Sequence, residues 1–354
     1  MPQGSYESID EALEMLSGCG PETIEGFSNH GPMAAEALSA MDRSDAVVAW
    51  VDRYRKRVAP KQITAGSIKN GEWRDALGEQ SKFSAWVSFF EEELKNASWR
   101  NVLDLWAARL APGIAAAAFH GVLRTAHATR SLAHAETPQR RAELAQGLAY
   151  WAAEFQPLNP KMDSRRRLNA SSALAQVPLL PNELRRTHGS ITDALAPVIA
   201  YPPFADVYAM IDSSTNVGEL LSDLSATFAG VFEANATGIT PTIAFIHCVT
   251  GPSCVRMMLP YVSDATARAC ASHAWHAAAA IYSTYASKPW SATKIEESSG
   301  DETPADELIG RAVHNGDEHA IKFTEACIRE AALNPQAVYA CAASKAIATL
   351  PPVR

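Results

Sequence analysis

The sequence predicts an all-α fold, in a single large multi-helix domain that spans residues 1–354. Alanine-rich stretches with apolar residues at helical spacing dominate the chain, whereas the alternating pattern of a strand is scarce. The chain also lacks the glycine-rich motifs that open a nucleotide-binding βαβ unit or a phosphate-binding loop. Because 354 residues lie near the upper limit for a single core, a two-lobed arrangement is the alternative.

Helices are predicted in order along the first half of the chain. Pro32 suits the first turn of "HGPMAAEALSAM". Apolar stripes at helical spacing predict three more helices, in "RSDAVVAWVDRYRKRV", "SKFSAWVSFFEEELKN" and "SWRNVLDLWAARLAPG". Residues 114–135 are predicted as one long helix, because alanine favours the helix more than any other residue. The next helix is predicted in "PQRRAELAQGLAYWAAEF".

The second half begins with an irregular Pro-rich segment near residues 156–203, which we interpret as a crossing loop or a lid. Helices are predicted in "VGELLSDLSATFAGVFEAN" and in "SDATARACASHAWHAAAAIYSTYA". Between them, "TGITPTIAFIHCVTGPSCVRMMLPYV" predicts two short helices. Thr240 would cap the first of these, and Gly251 and Pro252 would separate the two.

The charge balance argues against a nucleic-acid partner. The formal net charge is −8, whereas proteins that bind nucleic acid carry strongly basic surfaces. The only dense basic run is Arg165 to Arg167, which we interpret as a solvated loop.

The N-terminal sequence, the apolar runs and the cysteines indicate the cellular compartment. The N-terminus has neither the basic start nor the apolar core of a signal peptide. No uninterrupted apolar run reaches the roughly 18 residues that a membrane span needs. The six cysteines form no C-x-x-C pair and lie in apolar, helix-like contexts. We therefore expect reduced thiols, a cytoplasmic location and no membrane partner.

Three of the ten histidines share one face of a predicted helix. His120, His127 and His134 are each seven residues apart, which is about 10.5 Å along a helix axis. Because imidazole–metal bonds are about 2 Å long, neighbours at this spacing cannot readily share one ion. His120 lies deepest in apolar sequence and is the best candidate ligand of the three. We expect His127 and His134 to face solvent or an entrance.

Other histidines leave two interpretations open. His247, in "IAFIHCVTGP", must be buried, and is either a hydrogen-bonded core residue or a metal ligand. His30, in "SNHGPM", precedes a helix and is either held rigidly there or exposed. His273 and His276 lie three residues apart beside Trp275 and form a rival candidate pair.

His319 and Lys322 share one face of a helix in "GDEHAIKFTEA", for which Asp317 is the predicted N-cap. In one interpretation, Lys322 forms an exposed charge triplet with Glu318 and Glu325. In the other, Lys322 points inward beside His319, where burial favours its neutral amine. Such an amine adds CO₂ to give a carbamate, which binds metals as a carboxylate does. Histidines with one such oxygen ligand suit non-haem iron.

Five segments resemble, in the same order, conserved blocks of the questin oxidase-like family. They lie between about residue 24 and residue 330: "GFSNHGPMAAEAL", "VVAWVDRYRKRV", "FHGVLRTAHA", "FIHCVTGPSCVRMMLPYV" and "DEHAIKFTEA". The family includes enzymes that open the ring of anthraquinones such as questin. They were described as Baeyer–Villiger-type oxidases with NADPH as reductant. At least one relative is understood as a non-haem iron enzyme with four histidine ligands and a carboxylated lysine.

The resemblance implies a metal site and an activity. Carried over block by block, the iron ligands are the four histidines and the carboxylated lysine of these blocks: His30, His120, His247, His319 and Lys322. The implied activity is that of an oxidoreductase. It is an oxygenase that uses O₂ to cleave a carbon–carbon ring bond of an aromatic polyketide or anthraquinone-like substrate, with NADPH as a candidate reductant.

Arg124, four residues after His120, is the candidate catalytic residue. It could bind a phenolate or stabilise an oxyanion, and the alternative for it is a salt bridge. Two other functions stay open for the chain. One is a metal-independent, NADPH-using Baeyer–Villiger-type oxidase, and the other is a non-catalytic helical protein that binds small molecules. The sequence predicts neither the exact substrate nor the oligomeric state.

Overall fold

The structure, a computed structural model, describes residues 4–62, 66–69, 71–161, 167–291 and 303–353. The predicted all-α fold is confirmed: helices dominate this part of the chain, and the sheet found in it has two strands. The chain divides into two compact units. The first is Met1–Gln156 with Met257–Thr266, and the second is Pro157–Arg256 with Ala267–Arg354. A single domain over residues 1–354 stays a prediction.

The first unit is built from seven α-helices and a short antiparallel sheet within its described residues. Their order is α1 (Ile9–Leu16), β1 (Cys19–Thr23), α2 (Gly31–Ala40), α3 (Ser44–Tyr54), β2 (Val58–Pro60), α4 (Phe83–Asn96), α5 (Trp99–Leu110), α6 (His120–His134) and α7 (Pro138–Ala153). In the sheet, Cys19 pairs with Pro60 and Thr23 with Val58. The core contains large side chains that are fully buried: Trp86, Phe90, Trp99, Trp106, Phe119 and Trp151.

Helices α6 and α7 approach closely because each presents a glycine to the other. A Cβ atom at Gly121 would lie 2.5 Å from the Cα atom of Trp151, and one at Gly147 would lie 2.9 Å from the backbone nitrogen of Thr125. Helix α7 begins at Pro138, where the predicted segment begins, and the Thr137 side chain accepts a hydrogen bond from the Arg140 amide. The close packing of α6 against α7 at Gly121 lies next to His120, where α6 begins.

The prediction of one helix over residues 114–135 is wrong. Helix α6 begins only at His120, because Ala117, Ala118 and Phe119 all have positive φ angles (45°, 56° and 71°). Phe119 is fully buried, and Phe155 packs against Gly113, where a Cβ atom would lie 2.2 Å from its ring. Tertiary packing thus overrides the helix propensity of the alanines.

The second unit is entirely helical in its described residues. It contains α8 (Ala170–Leu174), α9 (Ile191–Ile199), α10 (Val217–Asn235), α11 (Ile239–Met258), α12 (Asp264–Tyr285), α13 (Ala305–Asn315), α14 (Glu318–Leu333) and α15 (Val338–Thr349). The last residues of α11 and the first residues of α12, within Met257–Thr266, belong to the first unit. The core of the second unit includes Phe228, Phe232, Phe245, Trp275, Tyr282 and Tyr339.

Helix α11 corrects a second prediction. It runs without a break through Gly251 and Pro252, and it begins at Ile239, ahead of the predicted cap Thr240. By length and composition, the segment Ile239–Tyr261 could cross a membrane, but 83% of its most apolar window is buried inside the protein. Burial of this kind is what a core helix experiences, and it stabilises the helix enough to tolerate an internal proline. The absence of a membrane partner stays a prediction.

The segment near residues 156–203 is irregular, as predicted. Its described part contains the short helices α8 and α9, with turns and a 3₁₀ turn at Asn182–Leu184 between them. Of the basic run, Arg165 and Arg166 lie outside the described residues. None of the six cysteines, all of which the structure describes, takes part in a disulfide bond. Reduced thiols stay a prediction. The cytoplasmic location itself stays a prediction.

Candidate functional site

His30 and His120 lie side by side in the first unit. Their ring centroids are 4.4 Å apart and their planes are inclined by 33°. Both residues are buried, and both stand at the start of a helix: His30 is the N-cap of α2, and His120 is the first residue of α6. The backbone N–H of His30 donates to the Tyr54 hydroxyl at 2.7 Å, which fixes the entry to α2. The structure thus brings two predicted ligands together.

The backbone orients the His120 ring. Its Nδ1 atom lies 2.5 Å from the carbonyl oxygen of Ala117. Because a carbonyl oxygen only accepts, Nδ1 carries a hydrogen, and the neutral form of the ring has its lone pair on Nε2. Metal-binding histidines commonly donate their second ring N–H to a carbonyl or carboxylate in this way. This contact favours the neutral tautomer in which Nε2 is the metal-binding atom.

His247 and His319 form a second pair, in the second unit. Their ring centroids are 5.7 Å apart, with the planes nearly perpendicular at 82°. The Nδ1 atom of His247 lies 2.7 Å from the carbonyl oxygen of Ile243, one turn earlier on α11, so that its lone pair is also on Nε2. Burial lowers the pKa of His247 well below its ordinary value, and the charges of His319 and Lys322 lower it further. His247 is neutral at physiological pH.

The N-cap residue of α14, Asp317, helps to position His319. The Asp317 side chain accepts hydrogen bonds from the backbone amides of His319 and Ala320 at 2.8 and 3.3 Å, as the predicted N-cap should. The same carboxylate oxygen lies 3.4 Å from Nδ1 of His319. Burial raises the pKa of Asp317, but the contacts with His319 outweigh it and lower the pKa overall. Asp317 therefore stays charged beside the ring.

Lys322 is buried one turn after His319. Only 3% of the residue is exposed, and burial lowers its pKa to about 8 even though Glu318 and Asp317 act in the opposite direction. Glu318 and Glu325 are buried as well, and Glu325 accepts a hydrogen bond from Arg329 at 3.1 Å. The exposed charge triplet is thereby ruled out, and the inward orientation of Lys322 is the one observed.

Arg124 is held in a buried ion pair. Its Nε and Nη2 atoms donate to the two carboxylate oxygens of Glu143 at 2.6 and 2.8 Å, and Nη2 also donates to Gln146 at 3.2 Å. Burial acts to lower the pKa of Arg124, and the Glu143 carboxylate outweighs it and raises the pKa. The salt bridge that was the alternative for Arg124 is therefore present, and a catalytic role stays a prediction.

The expectation that His127 faces solvent is wrong, whereas His134 is exposed as expected. His127 is 3% exposed, and its Nδ1 atom lies 2.6 Å from Glu36. Sequence reasoning also missed Glu36, a buried carboxylate on α2. The seven-residue spacing from His120 was the only signal for His127, and its partner is far away in the sequence.

His273 and His276, the rival candidate pair, lie beside aromatic side chains. His276 is 1% exposed and stacks on Phe204, with ring centroids 5.1 Å apart. Burial lowers the pKa of His276 to about 3 and that of His273 to about 4. The ring of His273 lies 4.9 Å from that of Tyr208. Aromatic rings therefore surround this pair.

Comparison with known families matches residues 27–327 of the chain to the model described as questin oxidase-like. The chain belongs to the questin oxidase-like family. The match covers most of the chain and includes all five residues that the resemblance assigns as ligands. A search of curated proteins gave no match. Membership of the questin oxidase-like family implies an oxidoreductase.

Proposed function

We propose that the protein is a non-haem iron-dependent oxygenase, which uses O₂ to cleave a ring of an aromatic polyketide or anthraquinone-like substrate. The observation that carries this proposal is the burial of Lys322, one helical turn from His319 and on the helix that brings His319 to His247. Burial of a charged lysine costs free energy and therefore favours the neutral amine. Family membership supports the oxidoreductase class and an aromatic substrate.

The donor set suits iron. The ligands we propose are those that the resemblance implies: His30, His120, His247, His319 and Lys322. The rings of His120 and His247 each donate Nδ1–H to a backbone carbonyl, as metal-binding histidines commonly do. When bound, iron would supply the one-electron chemistry that O₂ needs to react with a closed-shell molecule.

Lys322 would supply the negative charge that neutral imidazoles lack. Its neutral amine attacks the carbon of CO₂, the nitrogen releases a proton, and the product is a carbamate with two oxygen atoms that share one negative charge. A pKa of about 8 keeps part of the amine neutral at physiological pH, so this addition can proceed. A hard oxygen ligand among imidazoles is a combination typical of non-haem iron.

The surroundings of these side chains keep water away from them. His30, His120, His247 and Lys322 are each at most 6% exposed. Low solvent access strengthens the interaction of a bound cation with its ligands and limits side reactions of activated oxygen. We propose NADPH as the candidate reductant, as the family resemblance implies.

Metal content tests the proposal. Wild type, His247→Ala and Lys322→Ala would be purified without chelator or a histidine tag, incubated anaerobically with ferrous iron and measured by elemental analysis. His134→Ala is the matched control, because His134 is exposed on α6. We expect near-stoichiometric iron in the wild type and in the control, and loss of iron together with O₂ consumption in the other two variants.

The same measurement separates the alternatives. Negligible iron in the wild type, with NADPH-dependent oxidation intact, would support the metal-independent oxidase. Negligible iron with aromatic binding but no turnover would support a non-catalytic binding protein. Full iron content in Lys322→Ala would remove Lys322 from the ligand set and leave its burial unexplained.

A further inference from the structure

Three consecutive residues before His120 adopt a left-handed backbone. We call Ala117, Ala118 and Phe119 the left-handed turn; their φ angles are 45°, 56° and 71°. Residues with a Cβ atom avoid this region, which glycine enters without strain. In the described part of the chain, no other neighbouring non-glycine residues share positive φ angles. The strain is therefore concentrated at one place, directly before a predicted ligand.

Packing on both sides holds the left-handed turn. Ala118 and Phe119 are buried, whereas Ala117 is partly exposed. On one side, the Phe155 ring occupies the space that a Cβ atom at Gly113 would need. On the other, Gly121 lies against Trp151. Strained backbone persists only where the surrounding structure over-determines it, and such places cluster at functional sites.

The left-handed turn points one carbonyl at His120. The oxygen of Ala117 accepts a hydrogen bond from the His120 backbone N–H at 3.2 Å and lies 2.5 Å from Nδ1 of its ring. The same carbonyl thus fixes both the start of α6 and the ring that opens it. In the continuous helix that the alanines would otherwise form, His120 would lie in a later turn, and residue 116 would be its hydrogen-bond partner.

We propose that the left-handed turn is a positioning element for His120: it holds the Ala117 carbonyl on Nδ1 and so presents Nε2 to the metal. This inference rests on the proposed function, because it concerns the same ligand set. The strained alanine at position 117 stabilises one ring orientation at the expense of the stability of the fold. A hydrogen bond to the second ring nitrogen of a metal-binding histidine orients the ring before the cation binds.

Substitutions at Ala117 separate positioning from general stability. Ala117→Val disfavours the left-handed region, since a β-branched residue is poorly tolerated there. Ala117→Gly and Ala117→Asn keep that region accessible and should bind metal as the wild type does. Asp42→Val is the matched control: Asp42 has a φ of 62°, is exposed, and lies between α2 and α3 in the same unit. Ala117→Leu replaces the valine variant if that variant does not fold.

Two readouts are needed, the melting temperature without metal and the dissociation constant of cobalt(II), with its visible absorption spectrum. We expect both valine variants to melt at lower temperature than the wild type. Only Ala117→Val should bind cobalt(II) about 10-fold or more weakly and with an altered spectrum. Ala117→Gly should bind as the wild type does and melt about 2 °C higher.

The outcomes that contradict the proposal are distinct. Wild-type affinity and spectrum in Ala117→Val would mean that the left-handed turn does not position His120. An equal loss of affinity in Asp42→Val would assign the effect to stability alone. If the wild type binds neither cobalt(II) nor iron, the proposed function fails and this inference fails with it. If the wild type binds metal tightly and Ala117→Val does so equally, this inference fails alone.

Discussion

The carboxylate of Glu36 lies 2.6 Å from Nδ1 of His127, although 91 residues separate the two in the chain. The same carboxylate accepts two hydrogen bonds from Arg130, both at 2.6 Å, and one from the Tyr6 hydroxyl at 2.7 Å. Glu36 is 2% exposed. The buried carboxylate of Glu36 on α2 therefore contacts side chains of α6. His30 and His120 lie at the starts of these two helices.

Removal of this charge should destabilise the first unit. In Glu36→Gln, the partly exposed Arg130 loses its anionic contact, and we expect the free energy of unfolding to fall by about 1–3 kcal/mol. Denaturation by guanidinium chloride would measure the change. The matched control is Glu92→Gln on α4, where the carboxylate is exposed and should be replaceable with little effect. A variant at position 36 as stable as the control would contradict this view of the network.

Glu36 should also make stability depend on acid. Burial acts to raise the pKa of Glu36, but Arg130 and His127 outweigh it and lower the pKa below its ordinary value of 4.5. A lowered pKa in the folded state means that the unfolded chain takes up the proton first. The contribution of Glu36 is therefore complete above pH 4.5 and lost as the pH falls below it. Unfolding curves between pH 6 and 3 should show a shallower decline for Glu36→Gln than for the wild type.

His276 should make the free energy of unfolding depend on pH over a higher range than Glu36 does. Its pKa is about 3 in the folded protein because of burial, and its ordinary value is 6.5. Between these values the unfolded chain binds a proton that the folded chain does not. The free energy of unfolding should thus fall as the pH decreases from 6.5, by up to about 1.4 kcal/mol per pH unit. His276→Phe keeps the stack on Phe204 and should remove this part of the slope. An unchanged slope would mean that the ring is hydrated in the folded state.

Gly121 should not tolerate a side chain. A Cβ atom there would lie 2.5 Å from the Cα atom of Trp151, and a backbone atom on a packed helix cannot move away cheaply. Gly121→Ala should lower the free energy of unfolding by about 1–3 kcal/mol. Gly310→Ala is the control, since nothing lies within 4 Å of that position on α13. Alanine there should stabilise the helix by about 0.5–1 kcal/mol, as chemical denaturation would reveal.

Metal loading should respond to bicarbonate through Lys322. A pKa of about 8 leaves roughly a tenth of the amine neutral at pH 7, and more as the pH rises. Added bicarbonate should therefore increase iron loading of the wild type more at pH 8 than at pH 6.5. With ¹³C-labelled bicarbonate, a carbamate signal should appear in the NMR spectrum. Lys345→Gln, a change at a half-buried lysine on α15, should keep this signal, whereas Lys322→Gln should lose it. A signal that survives in Lys322→Gln would assign the carbamate to another amine.

Much of the fold follows from local sequence. The helices α3, α4, α5, α7, α10 and α12 have apolar stripes at the spacing of a buried face, and Asp317 caps α14 as predicted. The failures have a common cause, which is packing from distant parts of the chain. Alanines at 114–119 favour a helix, and their surroundings impose a left-handed turn. Pro252 signals a break, and burial carries α11 through it.

The candidate site was less accessible from sequence. Lys322 has acidic residues at helical spacing on both sides, which is also the pattern of a solvated face. Only the burial of Glu318 and Glu325 decides between the two interpretations. For Glu36 and His127 no local pattern exists, because a carboxylate and an imidazole in different helices meet only once the unit has folded. The resemblance supplied the ligand set that spacing alone left open.

Three of the four histidines proposed as ligands lie at the start of a helix: His30 is the N-cap of α2, and His120 and His319 lie in the first turns of α6 and α14. The macrodipole gives such a position a partial positive charge, which attracts anions and repels cations. Placement at helix starts therefore opposes a divalent ion. If the proposed metal binds, it would have to be retained by negative charge, of which Asp317 beside His319 is one source. The carbamate proposed at Lys322 would add a second negative charge and offset the positive ends of these helices.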